Sequence, residues 1–441
     1  MTNQYEIPLK GMKMSGECYY YNADKMYEMY DAMNYLLQPF RKMAQTTRSF
    51  FRNTPNLLDY GSGRFIEGLA DTYERSTRYV KKPEFNIDEV EVDGEKVKVY
   101  QTAVLKKPFC HLQHFTKENQ KKEPKVLIIA PISGHFATLL RDTVKRMAPK
   151  HDVYITDWIS MRDVPVSEGS FDLDLYLTYI MDFLHYIGPN THVMAVCQPA
   201  PEIMALAALM DEANDPCMPA SIIPMGGPID PRANKTQVNH LAEEHSLEWF
   251  EKNFLTYVPE GHIGVGRKVY PGFVQLTAFI NMNPDSHFKK HVQFLENKIA
   301  GNAAAAQKHA EFYDEYFSLL DMDSVYYLET IEKLFQKYEL PRGLMKYKGH
   351  TIDLKAIHRI ALLTIEGEKD DISAPGQSYA AHELCSNLPK EMHDHHLQPG
   401  VGHYGVFSGS KWRAFVAPKI EEFIRKFDRE TGSYYKKKGG C

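Results

Sequence analysis

The chain has 441 residues, of which 43% are hydrophobic and 25% charged, and its net charge is −5. These values fit a globular chain with a large core rather than a disordered or fibrous one. They give no electrostatic ground for nucleic acid as a partner, and no apolar run approaches the length of a membrane span.

The first residues, Met1-Thr2-Asn3-Gln4-Tyr5-Glu6, offer neither a basic nor an apolar leader segment, so a cytoplasmic location is expected. Six cysteines, Cys18, Cys110, Cys197, Cys217, Cys385 and Cys441, are scattered without C-x-x-C pairs. That usage fits a reduced compartment better than a disulfide framework or a zinc site.

In chain order, the first predicted element is helical. Met26, Met29, Tyr30, Met33, Leu36 and Leu37 recur at helical spacing and form one apolar stripe. The stripe is read as packing on the main domain, the alternative being contact with an apolar polymer or granule surface. A hairpin follows. Val90 and Val92 alternate up to Asp93-Gly94, and Val97 and Val99 alternate away from it.

Beyond a lysine-rich stretch, buried-type strands alternate with helices. Strands are predicted at 126–130, 153–156, 192–196 and 221–225, with a helix over Ile203, Ala205, Leu206 and Leu209. This alternation predicts a parallel sheet. From 232 to 350 the pattern turns helical and aromatic, with Trp249, Phe250, Phe254, Phe273, Phe312, Tyr313, Tyr316, Phe317, Tyr326 and Tyr327. Strand patterns return at 360–365 and 395–398. The expected division is an N-terminal helical extension (1–88), a first core part (89–231), a helical cap insertion (232–350), a second core part (351–428) and a disordered tail (429–441).

The strand predicted at 192–196 ends on Cys197, and helix formers begin just after it. A nucleophile on a sharp strand-to-helix turn is how α/β-hydrolases expose a reactive side chain, followed in chain order by an acid and a histidine. The acid candidates lie in Glu366-Gly367-Glu368-Lys369-Asp370-Asp371-Ile372, where the G-x-x-D-x-I spacing favours Asp370 over Asp371. The base candidate is His403, in the glycine-rich Gly400-Val401-Gly402-His403 loop after the last strand. His393, His395 and His396 lack a carboxylate or cysteine at ligand spacing, and neither a metal nor a cofactor is expected.

An oxyanion hole needs two N–H donors. One is expected from Gln198, the residue after the nucleophile. The other is expected from Ile132 or Ser133, with His135 left to shape the pocket.

The segments Ala130-Pro131-Ile132-Ser133-Gly134-His135-Phe136-Ala137-Thr138-Leu139-Leu140-Arg141, Ala195-Val196-Cys197-Gln198-Pro199, Met225-Gly226-Gly227-Pro228-Ile229-Asp230 and Gly400-Val401-Gly402-His403-Tyr404-Gly405-Val406-Phe407 resemble the intracellular polyhydroxybutyrate depolymerases. The resemblance runs from about residue 20 to about 427. It implies an α/β-hydrolase that cleaves stored poly-(R)-3-hydroxybutyrate through a triad of Cys197, Asp370 and His403, acting on polymer or granule surface. The related synthases flank their cysteine with glycines; here Ala195 and Pro199 stand in those places, and Pro199 suits the first turn of a helix. Two alternatives are an acyltransferase or small-ester hydrolase of the same fold, and a non-catalytic granule protein.

Overall fold

The computed structural model describes residues 25–78, 81–282 and 284–437. The described residues open on helices α1 (Met26–Asn53) and α2 (Gly61–Thr77), which pack against each other. Cys18 and Cys441 lie outside the described residues, as do residues 1–24.

Strands β1 (Glu89–Val92) and β2 (Glu95–Lys106) form the expected hairpin, with Asp93 and Gly94 both at positive φ, 52° and 87°. Such a pair matches the right-handed twist of the strands it joins. Strand β3 (Cys110–Lys117) pairs antiparallel with β2 and with β5 (Asp152–Trp158). Its residues at 111, 113 and 114 are His, Gln and His, so no apolar alternation marked it as a strand.

The centre of the sheet is parallel: β4 (Lys125–Ile129), β5, β6 (Thr191–Val196), β7 (Ser221–Met225), β13 (Ala361–Gly367) and β14 (His393–Gln398). The nine-stranded order is β1-β2-β3-β5-β4-β6-β7-β13-β14. Every residue of β6, β7 and β13 is buried, as expected of strands covered on both faces. The crossovers include α3 (Arg141–Met147), α4 (Leu173–Ile187) and α5 (Pro199–Glu212). This is the α/β-hydrolase fold, a mostly parallel sheet with flanking helices and an N-terminal helical extension.

Between β7 and β13 the sheet is interrupted by α6 (Gln237–Glu244), α7 (Leu247–Phe254), α8 (Gly272–Met282), α9 (Pro284–Ile299), α10 (Ala303–Tyr316) and α11 (Ser324–Glu329). The interruption is not purely helical. Short strands β8 (Thr256–Tyr257), β9 (Lys268–Tyr270) and β10 (Met322–Asp323) form a three-stranded sheet, and β11 (Lys346–Tyr347) pairs with β12 (His350–Thr351). These pairings are too short to leave a periodic signature in sequence.

After β13 come the short α12 (Ala381–Leu384), β14, the short α13 (Gly409–Lys411) and α14 (Ala417–Phe427). Of the segment expected to be disordered, 429–441, the described part turns back as α15 (Ser433–Lys437), and 438–441 lie outside the described residues. Asp428 Oδ1 accepts the Thr431 N–H and hydroxyl at 2.6 and 2.7 Å, and Tyr434 packs on Phe427 with ring centroids 5.0 Å apart. The lysine and glycine content of the tail hid this turn, which one aspartate and one aromatic contact stabilise.

Helix α1 also departs from expectation. Its packed side carries Tyr27, Tyr30, Arg41, Ala44 and Phe51. Met29, Met33, Leu36, Phe40, Met43 and Phe50 are all more than half exposed. Both sides have helical period, so periodicity located the helix but not the side that packs.

Candidate active site

The sequence leading into Cys197 is an apolar central strand, and that leading out is Gln198-Pro199-Ala200, with Pro199 at the first turn of α5. Pro there forgoes an N–H that has no helical partner. The join forces Cys197 to φ +66°, a conformation that costs non-glycine residues on the order of 1 kcal/mol or more and persists only when neighbours impose it. The imposing bonds are Cys197 N–H to the Met225 carbonyl, 2.8 Å, and Ala200 N–H to the Cys197 carbonyl, 3.1 Å.

Glycines let the next strand approach this turn. A Cβ on Gly227 would stand 2.1 Å from Ala200 Cβ and 2.5 Å from the Cys197 carbonyl oxygen. Gly226, at φ +56°, brings its Cα within reach of the acid and base: a Cβ there would meet Asp370 Oδ2 at 3.2 Å and His403 Cε1 at 3.6 Å.

Asp370 sits in the turn after β13 and is almost wholly buried, whereas Asp371 beside it is exposed. Asp370 Oδ1 accepts the Ile372 and Ser373 N–H groups at 3.0 and 2.9 Å, which fixes the carboxylate. Its Oδ2 lies 2.8 Å from His403 Nδ1. The Cys197 thiol is a further hydrogen-bonding and charge partner of the same imidazole. Burial alone would disfavour charge on His403, but the nearby Cys197 and Asp370 outweigh it and hold its pKa well above the ordinary imidazole value. The structure thus brings Cys197, His403 and Asp370 into one chain of contacts at the carboxyl ends of the parallel strands. Such a chain can generate a nucleophilic thiolate, hold the imidazole in one orientation and move a proton.

In the loop expected to serve an oxyanion, the two candidate N–H groups differ in what they bond. Ile132 N–H donates to Gln198 Oε1 at 3.2 Å and is occupied. The N–H groups of Ser133 and Gln198 have no acceptor among the described residues. Ser133, not Ile132, is therefore the loop residue with an N–H to offer. His135 is buried, which lowers its pKa to about 4 and keeps it neutral. It packs between Tyr316 of α10 and Tyr404, with ring centroids 5.2 and 6.5 Å away. Leu320 N–H donates to the Gly134 carbonyl at 2.7 Å, so the insertion is tied directly to this loop.

Sequence reading missed three side chains that reach the same place. Gln198 Nε2 donates to Tyr326 Oη at 3.1 Å, and Tyr326 Oη donates to Glu202 Oε1 at 3.1 Å. Glu202 lies one turn into α5 and is fully buried. Its acidic identity inside an apolar helix was the available signal.

His393, His395 and His396 bond to His382, Thr364 and Gln398 respectively. Among the described residues, His185, Asp215 and Cys217 place donor atoms within 4.8 Å of one another. His185 lies in the last turn of α4, before β6, and Asp215 and Cys217 lie between α5 and β7, whereas Cys197 follows the carboxyl end of β6. A cavity of about 310 Å³ beside Phe136 and Trp158 is lined by Lys81, Lys82, Ser160 and Arg162 and by none of Cys197, Asp370 and His403. No helix among the described residues is long and apolar enough to cross a membrane.

Residues 226–428 match a protein family described as the PHB de-polymerase C-terminus. That stretch holds the insertion, Asp370 and His403, while Cys197 precedes it. No curated protein matches the chain. Among solved structures, a malate-bound thermophilic esterase from Thermogutta terrifontis aligns at 15% identity, covering 75% of this chain and 99% of that one, with a TM-score of 0.40. The monoacylglycerol lipase of Paleococcus ferrophilus aligns at 11% identity over 74% and 98% of the two chains, TM-score 0.41. The naproxen esterase of Bacillus subtilis aligns at 11% identity over 82% and 97%, TM-score 0.42.

Proposed function

We propose that this chain, with a PHB depolymerase C-terminal domain on an α/β-hydrolase core, is an intracellular cysteine hydrolase that cleaves poly-(R)-3-hydroxybutyrate of storage granules to oligomers and monomer. The observation that carries the reading is the contact chain Cys197–His403–Asp370, whose last two members lie inside the family-matched stretch.

Cys197 Sγ attacks the ester carbonyl as its proton passes to His403. The negative oxygen of the tetrahedral intermediate is held by the Gln198 and Ser133 N–H groups. Collapse breaks the C–O bond, and His403 returns its proton to the leaving hydroxyl of the neighbouring monomer unit. The resulting thioester is hydrolysed by water that His403 deprotonates, which releases the acid and restores the thiol. Asp370 keeps the imidazole oriented and stabilises its charged form.

The aromatic insertion supports a polyester substrate. Phe312 and Tyr316 of α10 stack together with centroids 5.6 Å apart, and both contact Tyr404 beside His403. The exposed apolar side of α1 supports a surface-bound polymer. Six large apolar residues on one helix are more than a monomer ordinarily leaves to water.

The test is incubation of purified protein with amorphous polymer and assay of released 3-hydroxybutyrate. Wild type should release monomer and oligomer, and Cys197→Ala should release none above background. Equal release by the two would sink the reading.

A further inference from the structure

Four groups from three parts of the chain form one buried hydrogen-bonded line beside the candidate oxyanion donors. Ile132 N–H donates to Gln198 Oε1 (3.2 Å), Gln198 Nε2 to Tyr326 Oη (3.1 Å), and Tyr326 Oη to Glu202 Oε1 (3.1 Å). The four residues are all buried, and Tyr326 and Glu202 completely so. Tyr326 belongs to α11 of the insertion, Glu202 and Gln198 to the start of α5, and Ile132 to the loop after β4. Rings fix the middle of the line: Tyr176 stacks on Tyr326 at 5.4 Å, and Phe171 lies 5.5 Å away.

We propose that Gln198, Tyr326 and Glu202 are positioning residues, whose hydrogen-bonded line anchors the Ile132–Ser133 peptide so that the Ser133 N–H faces the ester oxyanion. This rests on the ester-hydrolase reading above. Donor and acceptor roles follow from the chemistry of the groups. The Gln198 carboxamide has one end that accepts and one that donates. Its oxygen must face Ile132, because a backbone N–H can only donate, and its NH₂ must then face Tyr326. The phenol in turn accepts from Gln198 and spends its single proton on Glu202. Each member therefore fixes the orientation of the next, and the carboxamide cannot flip without breaking two bonds.

Burial pushes the Glu202 carboxyl up to about 8, so it is uncharged at neutral pH and places no negative charge near the developing oxyanion. The line also couples the insertion to the catalytic loop. Leu320 N–H grips the next residue along, Gly134, through its carbonyl, so the loop is held from α11 through side chains and from the segment before β10 through backbone.

A positioning role predicts a particular split. Ester cleavage needs an oxyanion donor, whereas alkylation of Cys197 by iodoacetamide displaces iodide at a saturated carbon and forms no oxyanion. Gln198→Ala keeps the Gln198 backbone N–H and removes the bond to Ile132, and Tyr326→Phe removes only the hydroxyl. In each, kcat for p-nitrophenyl butyrate should fall by about tenfold or more, KM should stay near wild type, and the alkylation rate of Cys197 should be unchanged. Glu202→Gln, which still accepts from Tyr326, should recover most of the wild-type kcat.

Thermal unfolding of each variant is measured alongside. Full kcat in both Gln198→Ala and Tyr326→Phe overturns the proposal. So does a loss of kcat matched by an equal loss of alkylation, since that places the effect on the thiol or the fold. A wild type that turns over no ester overturns the hydrolase reading itself, and that failure is visible in the wild-type arm alone.

Discussion

At the scale of single residues, the site depends on one strained backbone position and on the small residues around it. Gly227→Ala would set a methyl 2.1 Å from Ala200 Cβ against rigid backbone on the other side. The expected result is a loss of about 2–3 kcal/mol or more in unfolding free energy, read by urea denaturation, with loss of esterase activity. Asp370→Asn keeps the shape but removes the charge that helps raise the His403 pKa. It should lower kcat by about 10³-fold or more while leaving the unfolding midpoint close to wild type. An Asp370→Asn enzyme within a few-fold of wild type would remove Asp370 from the mechanism.

Glu202 gives a prediction for pH. It is fully buried, and desolvation raises its carboxyl from 4.5 to about 8. An acid with a raised folded pKa takes up a proton on folding between those two values. Stability therefore falls as pH rises through that window, by roughly 3 kcal/mol at pH 7. Wild type should lose melting temperature from pH 5 to pH 8, and Glu202→Gln should show a flatter curve. Parallel curves would contradict a neutral Glu202.

Residue-level reading of the sequence went furthest where chemistry and position coincide. Cys197 at a strand end, Asp370 after a strand and His403 in a glycine-rich loop each have a local signature. Ile132 and Ser133 do not, because the choice depends on where the Gln198 side chain points.

At the scale of elements, the parallel strands were legible because β4, β6, β7 and β13 are largely apolar and covered on both faces. Strand β3 was not, since His111 and His114 occupy half-covered positions and Gln113 a buried one on a strand that pairs with both neighbours. Helix α1 shows the limit of periodicity. Its stripe was legible, but which side is covered depends on Phe273, Asp321 and His262, contacts far away in sequence.

The exposed side of α1 carries its own test. Met33→Glu with Leu36→Glu alters two of its most exposed apolar residues, 63% and 68% accessible. The pair should reduce co-sedimentation with amorphous polymer granules several-fold while turnover of p-nitrophenyl butyrate is unchanged. Unchanged co-sedimentation would move granule contact elsewhere on the protein.

At the scale of the whole molecule, two additions surround an ordinary hydrolase sheet. The N-terminal helices pack on the insertion: Tyr27 Oη donates to Asp321 at 2.7 Å, and Arg75 pairs with Asp314 at 2.7 Å. The insertion in turn reaches the Ile132–Gly134 loop, through Leu320 directly and through Tyr326 by way of Gln198. The N-terminal helices, the insertion and this loop are thus joined by a continuous set of packed elements. This arrangement was only partly legible in sequence, because each link joins residues more than a hundred positions apart.

In the proposed mechanism Cys197 carries the acyl group. Mass spectrometry of the protein after brief exposure to 3-hydroxybutyrate oligomers tests it most directly. A 3-hydroxybutyryl adduct is expected on the peptide containing Cys197, lost on treatment with hydroxylamine and absent from Cys197→Ala. An unmodified Cys197 peptide during active turnover, or oligomer cleavage that persists in Cys197→Ala, would contradict it.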